Sequence, residues 1–417
     1  MTPFELSAVL MTAVALAGWL NVKTLKLPHG VAMLIAGLAA SALLWALKGL
    51  FPGLAGPGDV VATIARIDFG TTVTGYMLAF LLFAGAMQVD LHEMRRRWLS
   101  IGALATLGVA GSIVIVGFGV WAVAAALGLP LPLSWALVFG ALISPTDPVA
   151  VLATVRHVRL SKTLTVVLQG EALFNDGVGI VAFTALLALA TGAGHVAPGT
   201  VVLQVVVEAL GGLLFGMALS AAVIRLMGTL DDFAVEVSLT IALAMGSYAA
   251  AQALHLSGAI AVVGAGMLFG GPRARKAIEG ETEPYLTAFW TLVDEILNAL
   301  LFLLLGIEMI AVPFQPHQSG LLLAAIPIVL AARFAVVLPF GTWLRLRALE
   351  RGPTLILGWG GLHGALSLAL ALALPATPER ALLLSVTYAV VAFSITAQGL
   401  TFTPLVRWIG RRSSNEE

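Results

Sequence analysis

The chain has no cysteine, no net charge and few charged side chains. Of its 417 residues 11% are charged and 59% are hydrophobic, whereas a soluble globular domain carries roughly 25% charged residues. The lack of cysteine excludes a disulfide framework and a thiolate metal site, and the balanced charge excludes the strongly basic surface of a nucleic-acid-binding protein. A soluble fold cannot bury so many apolar side chains, and the composition therefore predicts an integral membrane protein.

Apolar runs of about 20 residues, the length that crosses a bilayer, occur thirteen times along the chain. The first run lacks the positively charged lead of a secretory signal, so we expect it to be kept as a transmembrane helix. The predicted spans are 5–25, 29–50, 71–90, 99–127, 131–154, 163–191, 200–227, 233–255, 257–271, 286–312, 319–344, 353–374 and 381–408. The sequence thus predicts an all-α polytopic membrane protein with about 13 transmembrane helices, in which residues 1–417 form a single transporter-sized unit without a separate soluble domain.

Lysine and arginine are distributed asymmetrically between the loops that join these segments. Eighteen of the 22 follow odd-numbered segments, and only Lys48, Arg66 and Arg380 lie in the opposite loops. Because Lys and Arg accumulate on the cytoplasmic side of a membrane, this alternation supports the count of thirteen. It predicts a multi-pass protein of the cell (inner) membrane with the N-terminus outside and the C-terminus in the cytoplasm.

Two of the predicted helices contain residues that break a helix in the middle of the membrane. The fifth contains Ser144-Pro145-Thr146-Asp147-Pro148, in which each proline removes a backbone donor, and the twelfth contains Gly358, Gly360, Gly361 and Gly364. Irregular backbone at membrane depth lies where it is packed in protein or lines a wet cavity, and paired interruptions indicate a transporter site. We therefore predict two interrupted, crossing helices within an inverted repeat of segments one to six and eight to thirteen.

Four charged side chains fall inside apolar runs, where an ionised group is costly and usually marks an ion or proton path. They are Asp147, Glu171, Asp176 and Arg333. On the sixth helix, Glu171 and Asn175 are four residues apart and share a face, whereas Asp176 is turned by about 100° from Asn175. This spacing predicts that Arg333 pairs with the face that carries Glu171 and Asn175.

The other face of the sixth helix then presents Asp176 to the broken fifth helix. There the Asp147 carboxylate, the Thr146 hydroxyl and the carbonyls freed by the prolines offer hard oxygen ligands, which suit an alkali cation. Since burial favours the protonated form of a carboxylate, a proton competes with the cation for Asp176. A site that reorients only when neutralised couples the two fluxes, so these residues predict cation/proton exchange without a cofactor and without enzymatic chemistry.

Four motifs carry a resemblance to a known family. They are Ser144-Pro145-Thr146-Asp147-Pro148-Val149-Ala150, Gly170-Glu171-Ala172-Leu173-Phe174-Asn175-Asp176-Gly177, Asp294-Glu295-Ile296-Leu297-Asn298 and Gly360-Gly361-Leu362-His363-Gly364-Ala365. On these residues the chain resembles the cation/proton antiporter 1 family, the bacterial relatives of sodium/proton exchangers. The resemblance implies a homodimer, an elevator-like movement, and dimerisation and core domains that interleave, with the core including 71–191 and 286–408.

The resemblance also implies a role for each matching side chain. Asp176 is similar to the carboxylate that binds cation and proton, with Thr146 and Asp147 contributing to the ion site, and Asn175, Glu171 and Arg333 resemble the supporting polar cluster. Asn175 stands where the electrogenic relatives carry a second Asp. The resemblance therefore implies one proton for each cation, which makes the exchange electroneutral.

Three positions depart from the family pattern. Ala172 stands where the family usually has a serine that touches the ion, and Ala84 stands where some relatives place an extra glutamate. His363 replaces an arginine, and it is interpreted either as a pH-modulating group or as a neutral, hydrogen-bonded histidine. These departures affect the choice of cation more than the exchange itself.

Several functions remain compatible with the sequence. Exchange of Na⁺ (or Li⁺) for H⁺ across the membrane, as part of pH homeostasis, is the first, and exchange of K⁺ for H⁺ on the same fold is the second. A passive cation channel is a third, although a single desolvated carboxylate without a ring of carbonyl or acidic repeats argues against it. No nucleophile with a base and no metal-ligand cluster supports a membrane enzyme.

Overall fold

All regular secondary structure in the described part of the chain is helical. The computed structural model describes residues 3–51, 77–147, 160–192, 198–230, 232–277, 282–311, 315–348 and 352–414, and none of them lies in a strand. In a bilayer every backbone N–H and C=O must find its partner within the protein, and a helix does this within one segment. The all-α prediction is confirmed.

The described residues of the first half of the chain form seven α-helices. They are α1 (Pro3–Leu20), α2 (His29–Leu50), α3 (Leu78–Met87), α4 (Leu91–Ala103), α5 (Val109–Ala126), α6 (Leu133–Ile143) and α7 (Lys162–Ala190). A π-helical stretch follows α1 at Asn21–Leu25, and another joins α4 to α5 at Leu104–Gly108.

Ten further α-helices follow in the described part of the second half. They are α8 (Pro198–Met227), α9 (Phe233–Ala253), α10 (Gly258–Phe269), α11 (Pro272–Ala277), α12 (Thr282–Ala311), α13 (Ser319–Ala348), α14 (Pro353–Trp359), α15 (Ala365–Leu372), α16 (Pro378–Phe393) and α17 (Gly399–Ser414). A 3₁₀ turn at Pro316–Gln318 precedes α13, and a π-helical stretch at Ser394–Gln398 joins α16 to α17.

Each of the thirteen predicted spans contains at least one helix within its described residues. Among the described residues nine helices are long and apolar enough to cross a membrane, and three shorter apolar ones lie at Leu78–Met87, Leu133–Ile143 and Gly258–Phe269. The twelfth predicted span is the broken pair α14 and α15. The polytopic architecture is confirmed, and thirteen crossings are consistent with it.

One predicted boundary is wrong. The fourth span was expected to begin at residue 99, with Arg95 to Arg97 in the preceding loop, but α4 begins at Leu91 and contains these arginines. The reason is a strong N-terminal cap, because the Asp90 carboxylate accepts hydrogen bonds from the backbone N–H groups of His92 and Glu93. The helix therefore starts in the polar stretch before the apolar run.

The predicted interruption of the twelfth span is present, and α6 ends where the fifth span was predicted to break. Helix α6 ends at Ile143 and the backbone is not helical from Pro145 to Asp147, the last described residue of this stretch. Helix α14 ends at Trp359, and α15 begins at Ala365 after a non-helical link at residues 361–364. The remainder of the fifth predicted span, residues 148–154, lies outside the described residues.

The chain divides into two compact units. The first unit comprises Met1–Thr72, Gly111–Ser161 and Ile296–Glu417. In it α13 packs against α14 and α16, the broken helices α6 and α15 both pack against α16, and α14 packs against α17. The ends of both interrupted helices thus lie in the same unit.

The second unit comprises Val73–Ala110 and Lys162–Glu295. Its helix α10 packs against α3, α8 and α9, and α7 packs against α4 and the π-helical stretch that follows it. Helices α8 and α10 approach closely because glycines face the partner backbone, for example Gly212 against the Ser257 carbonyl. The predicted division into dimerisation and core domains, with its ranges 71–191 and 286–408, stays a prediction, as does the inverted repeat.

Candidate functional site

The two interrupted helices are joined through their backbones. The N–H of Asp147 donates a hydrogen bond to the carbonyl of Leu362 at 2.6 Å. In an unbroken helix this N–H would bind the carbonyl of Ile143, four residues earlier. A backbone donor freed at one break is therefore paired with a carbonyl at the other. This bond places Thr146 and Asp147 beside the link between α14 and α15.

His363 ties this link to the end of α6. Its backbone N–H donates to the Ser394 hydroxyl at 2.8 Å, and its ring Nδ1 lies 3.3 Å from the Pro145 carbonyl oxygen. Since a carbonyl only accepts, Nδ1 carries the hydrogen in this contact. The ring also interacts with the Ile143 carbonyl. The Pro145 carbonyl is thus engaged by His363.

Replacing His363 with leucine should destabilise the protein, because the Pro145 carbonyl loses its partner in a buried place. The expected cost is about 1–3 kcal/mol, measured as a lower thermal unfolding temperature in detergent. His363→Gln retains an N–H donor in the side chain, so its unfolding temperature should lie between those of the wild type and the leucine variant. Equal stability of the leucine variant and the wild type would contradict a bond between the ring and the α6 end.

Arg333 of α13 caps the C-terminus of α14. Its Nε and Nη2 both donate to the Leu357 carbonyl, at 3.2 and 3.1 Å. Leu357 lies in the last turn of α14, where the break leaves carbonyls without helical donors, and a cation is favourable at this end of a helix. A Cβ on Gly361 would lie 3.0 Å from Arg333 Cζ, so the glycine makes room for the guanidinium.

Replacing Arg333 with alanine should mainly reduce stability. The change removes both hydrogen bonds to Leu357 and, if the predicted pairing holds, leaves the Glu171 carboxylate buried without its cation; we expect a loss of about 3–5 kcal/mol. Thermal unfolding and the yield of folded protein measure it. Arg333→Lys keeps the charge but not the planar donor pair and should lose less. Unimpaired stability of the alanine variant would contradict the capping role.

The glycines of the twelfth predicted span are needed for close packing. Four of them face a large or charged partner: Gly358 faces Phe334, Gly360 faces Phe402, Gly361 faces Arg333 and Gly364 faces Asp147. At Gly364 a Cβ would lie 2.7 Å from Asp147 Cβ and closer still to the carboxylate Oδ2. The Asp147 side chain therefore occupies the space that a side chain at 364 would need.

Helix α7 of the second unit carries the remaining predicted site residues. Glu171, Asn175 and Asp176 are all buried, with Asp176 exposed to 9%. Burial of an ionisable side chain within a membrane helix is costly, and such residues usually have a function. The burial agrees with the expectation that Asp176 does not face lipid.

Glycines at both ends of the α7 motif let neighbouring helices pack against its backbone. A Cβ on Gly170 would lie 2.8 Å from Ile101 Cδ1 of α4, and one on Gly177 would lie 2.9 Å from Ile260 Cδ1 of α10. Ala84 of α3 is fully buried, and the adjacent Gly85 faces Leu173. Helix α7 is thus held from several sides in the segment that presents Asp176.

The predicted site residues fall into two groups. The first unit brings together Thr146, Asp147, His363 and Arg333 around the two helix breaks, and Arg333 interacts electrostatically with His363. The second unit holds Glu171, Asn175 and Asp176 on one helix. The pairing of Glu171 with Arg333 and the approach of Asp176 to Asp147 stay predictions.

Sequence reasoning missed the contribution of the π-helical stretch Ser394–Gln398. Ser394 accepts the backbone N–H of His363, and the Gln398 side chain donates to the Trp359 carbonyl at 3.2 Å. Both residues are buried, and both hold the broken twelfth span. The sequence did contain a signal, because Ser394 and Gln398 are polar, lie four residues apart in an apolar segment and therefore share a helix face. Turns of π-helix are also frequent at functional sites.

Two helix breaks that are hydrogen-bonded to each other within apolar segments, with ionisable side chains around them, are typical of a membrane transporter. A family model described as "Sodium/hydrogen exchanger, transmembrane" matches residues 10–408. The chain belongs to this sodium/hydrogen exchanger family, and the family resemblance inferred from the motifs is confirmed.

Individual relatives agree with this assignment over nearly the whole chain. The chain is 39% identical to the Na⁺/H⁺ antiporter NhaP of Pseudomonas aeruginosa over 97% of its length and 96% of the relative. It is 34% identical to the Na⁺/H⁺ antiporter NhaH of Halobacillus dabanensis, with 97% and 96% covered. The structure of the sodium proton antiporter MjNhaP1 from Methanocaldococcus jannaschii matches with a TM-score of 0.72 at 18% identity, over 98% of this chain and 99% of that one. This last likeness supports the fold.

Proposed function

We propose that the protein is a secondary active antiporter that exchanges Na⁺ for H⁺ across the membrane. The observation that carries this proposal is the 39% identity, over 97% of the chain, to a protein named as a Na⁺/H⁺ antiporter. The family match over residues 10–408 supports it. The transported cation and proton are substrates, and the proposed exchange requires no cofactor and no enzymatic step.

The proposed mechanism is competition for one carboxylate. Asp176 binds either a proton or a cation, and Thr146 and Asp147 provide further oxygen ligands for the cation. A buried carboxylate is costly when charged, so the site reorients after it has been neutralised by one of its two ligands. Asn175 in place of a second acid leaves Asp176 as the only carboxylate of the Asn175-Asp176 pair, which supports a 1:1 electroneutral exchange.

The polar groups around the breaks have a supporting role in this proposal. Hydrogen bonds of the Pro145 and Leu357 carbonyls and of the Asp147 N–H fix the backbone at the breaks. This fixed backbone keeps the side-chain oxygens of residues 146 and 147 in place for the ion. Asn175, Glu171 and Arg333 form the supporting polar cluster, and His363 adds possible pH modulation. A cation that loses its water shell needs ligands whose positions are fixed beforehand.

The wider arrangement follows from the same proposal. The antiporter lies in the cell (inner) membrane, with its N-terminus outside and its C-terminus in the cytoplasm, and serves pH homeostasis. It forms a homodimer whose core domains, including 71–191 and 286–408, move in an elevator-like manner relative to the dimerisation domains. The positive charge on one set of loops supports the orientation.

Transport in proteoliposomes with an enclosed pH dye tests the proposed function. Sodium, lithium and potassium are added in turn, and internal alkalinisation or acidification reports the coupled proton flux. We expect a response to sodium and lithium that is unchanged when the membrane potential is clamped. A response to potassium alone would show K⁺/H⁺ exchange instead of Na⁺/H⁺ exchange, and cation current without proton counterflow would favour a passive channel.

A further inference from the structure

A buried carboxylate outside the four sequence motifs has, among the described residues, only a neutral hydrogen-bond partner. Glu308 of α12 is 4% exposed, and its Oε2 accepts a hydrogen bond from the Tyr388 hydroxyl of α16 at 2.8 Å. Among the described residues its Oε1 makes no hydrogen bond, and the carboxylate makes no ion pair. Both residues lie within helices long and apolar enough to cross the membrane.

The described residues of α1 and α2, two helices that pack against this part of α12, offer Glu308 no cation. On the α1 side Leu304 packs against Leu6, and on the α2 side the Ser41 hydroxyl donates to the Ile307 carbonyl at 3.1 Å. The titratable groups of these two helices, Glu5, His29 and Lys48, form neither a hydrogen bond nor an ion pair with Glu308. The surroundings of Glu308 on these sides are therefore apolar or neutral.

The remaining charged groups near the pair lie at the start of α16. Arg380 acts electrostatically on Tyr388, but its Nη2 donates to the Leu372 carbonyl at the end of α15, at 3.1 Å. Its neighbour Glu379 is only half-buried. Arg380 thus caps α15 through Nη2, and among the described residues the Tyr388 phenol is the hydrogen-bond partner of Glu308.

An ionised carboxylate with one neutral donor is expensive in an apolar interior, whereas a protonated carboxyl group is not. We propose that Glu308 and Tyr388 form a second proton-binding site, in which Oε1 of Glu308 takes up a proton from the predicted outer side of the membrane and its occupancy sets part of the pH dependence of exchange. The phenol remains protonated throughout. The effect of Glu308 on exchange rests on the proposed antiport function, whereas proton binding by Glu308 is independent of it.

Infrared difference spectroscopy of the full-length protein during a pH titration tests proton binding. We expect a C=O stretching band of a protonated carboxyl group that fades as the pH rises and that is missing from Glu308→Gln. Tyr388→Phe removes a donor to the ionised form and should move the midpoint of this fading to higher pH, by roughly 0.5–1 unit for a hydrogen bond of ordinary strength. Glu379→Gln, at the half-buried neighbouring carboxylate, should leave the band unchanged.

Exchange measured over the same pH range tests the functional link. Glu308→Gln is locked in the neutral form, so its pH profile should lose the component that follows the carboxyl band, while Glu379→Gln should keep the wild-type profile. Asp176 is expected to contribute a carboxyl band of its own, so the proton site would be overturned if Glu308→Gln kept every titrating carboxyl band of the wild type. An unaltered exchange profile in this variant would overturn the role of Glu308 in exchange. Wild-type protein without sodium-driven proton flux would refute the antiport itself, while the infrared result would still decide whether Glu308 binds a proton.

Discussion

Replacing Asp176 with asparagine is expected to abolish Na⁺-driven proton flux while leaving the protein folded. Asparagine has nearly the same shape but can neither release a proton nor neutralise a cation. A desolvated cation without a countercharge costs about 3–5 kcal/mol, which corresponds to a loss of about 100-fold or more in exchange. Dye-reported flux in proteoliposomes measures the loss, and size-exclusion elution together with thermal unfolding measures the fold.

The folded state of this variant should be as stable as that of the wild type or more so, because Asp176 is buried and the substitution removes a charge from an apolar interior. Glu93→Gln is a suitable control. It removes a carboxylate from the same unit, but that carboxylate lies at the polar start of α4 and pairs with Arg96 at 3.4 Å near the surface. The control should transport normally. Retained sodium-driven flux in Asp176→Asn would remove this residue from the centre of the mechanism.

Features that depend on the local chemistry of the chain were predictable from sequence. Apolar runs of bilayer length predict helices, and Pro145 and the glycines between 358 and 364 predict the two breaks, because proline and glycine act on the backbone where they stand. The burial of Asp176 follows from the same reasoning, since a charged side chain in an apolar span avoids lipid. These inferences need no knowledge of how distant segments pack.

Features that depend on contacts between distant segments were not predictable. The partners of the freed backbone groups, Leu362 for Asp147 and Arg333 for Leu357, are separated from them by many residues in the chain. No periodicity identifies Ser394 as the acceptor for the His363 N–H. The start of α4 was misplaced for a different reason, because hydropathy alone gives little weight to a cap such as Asp90 in front of a polar turn.

Gly364 illustrates the difference between local chemistry and contacts between distant segments. Sequence reasoning treats it as a helix breaker, and its φ of −125° is one that any residue adopts. Glycine is therefore required at position 364 for a steric reason. The side chain of Asp147, more than 200 positions earlier in the chain, fills the space next to it. A substitution here acts on the candidate ion site without changing any of its ligands.

Replacing Gly364 with alanine is accordingly expected to reduce exchange by about fivefold or more. The new Cβ would collide with the Asp147 side chain and push its carboxylate out of position, and overpacking of this kind costs roughly 1–3 kcal/mol. Because the ligand is displaced rather than removed, a higher concentration of sodium should restore part of the flux. Proteoliposome flux as a function of sodium concentration measures both effects.

Gly246→Ala is the matched control, since a Cβ at this position of α9 would have no neighbour within 4 Å. It makes the same chemical change within a helix and should leave both the rate and the sodium dependence unaltered. A Gly364→Ala variant whose sodium dependence matches the wild type would show that the contact with Asp147 does not bear on ion binding. If Gly364→Ala loses affinity for sodium and the control does not, the loss reflects the position of Asp147, because the two variants differ only in what the added methyl group meets.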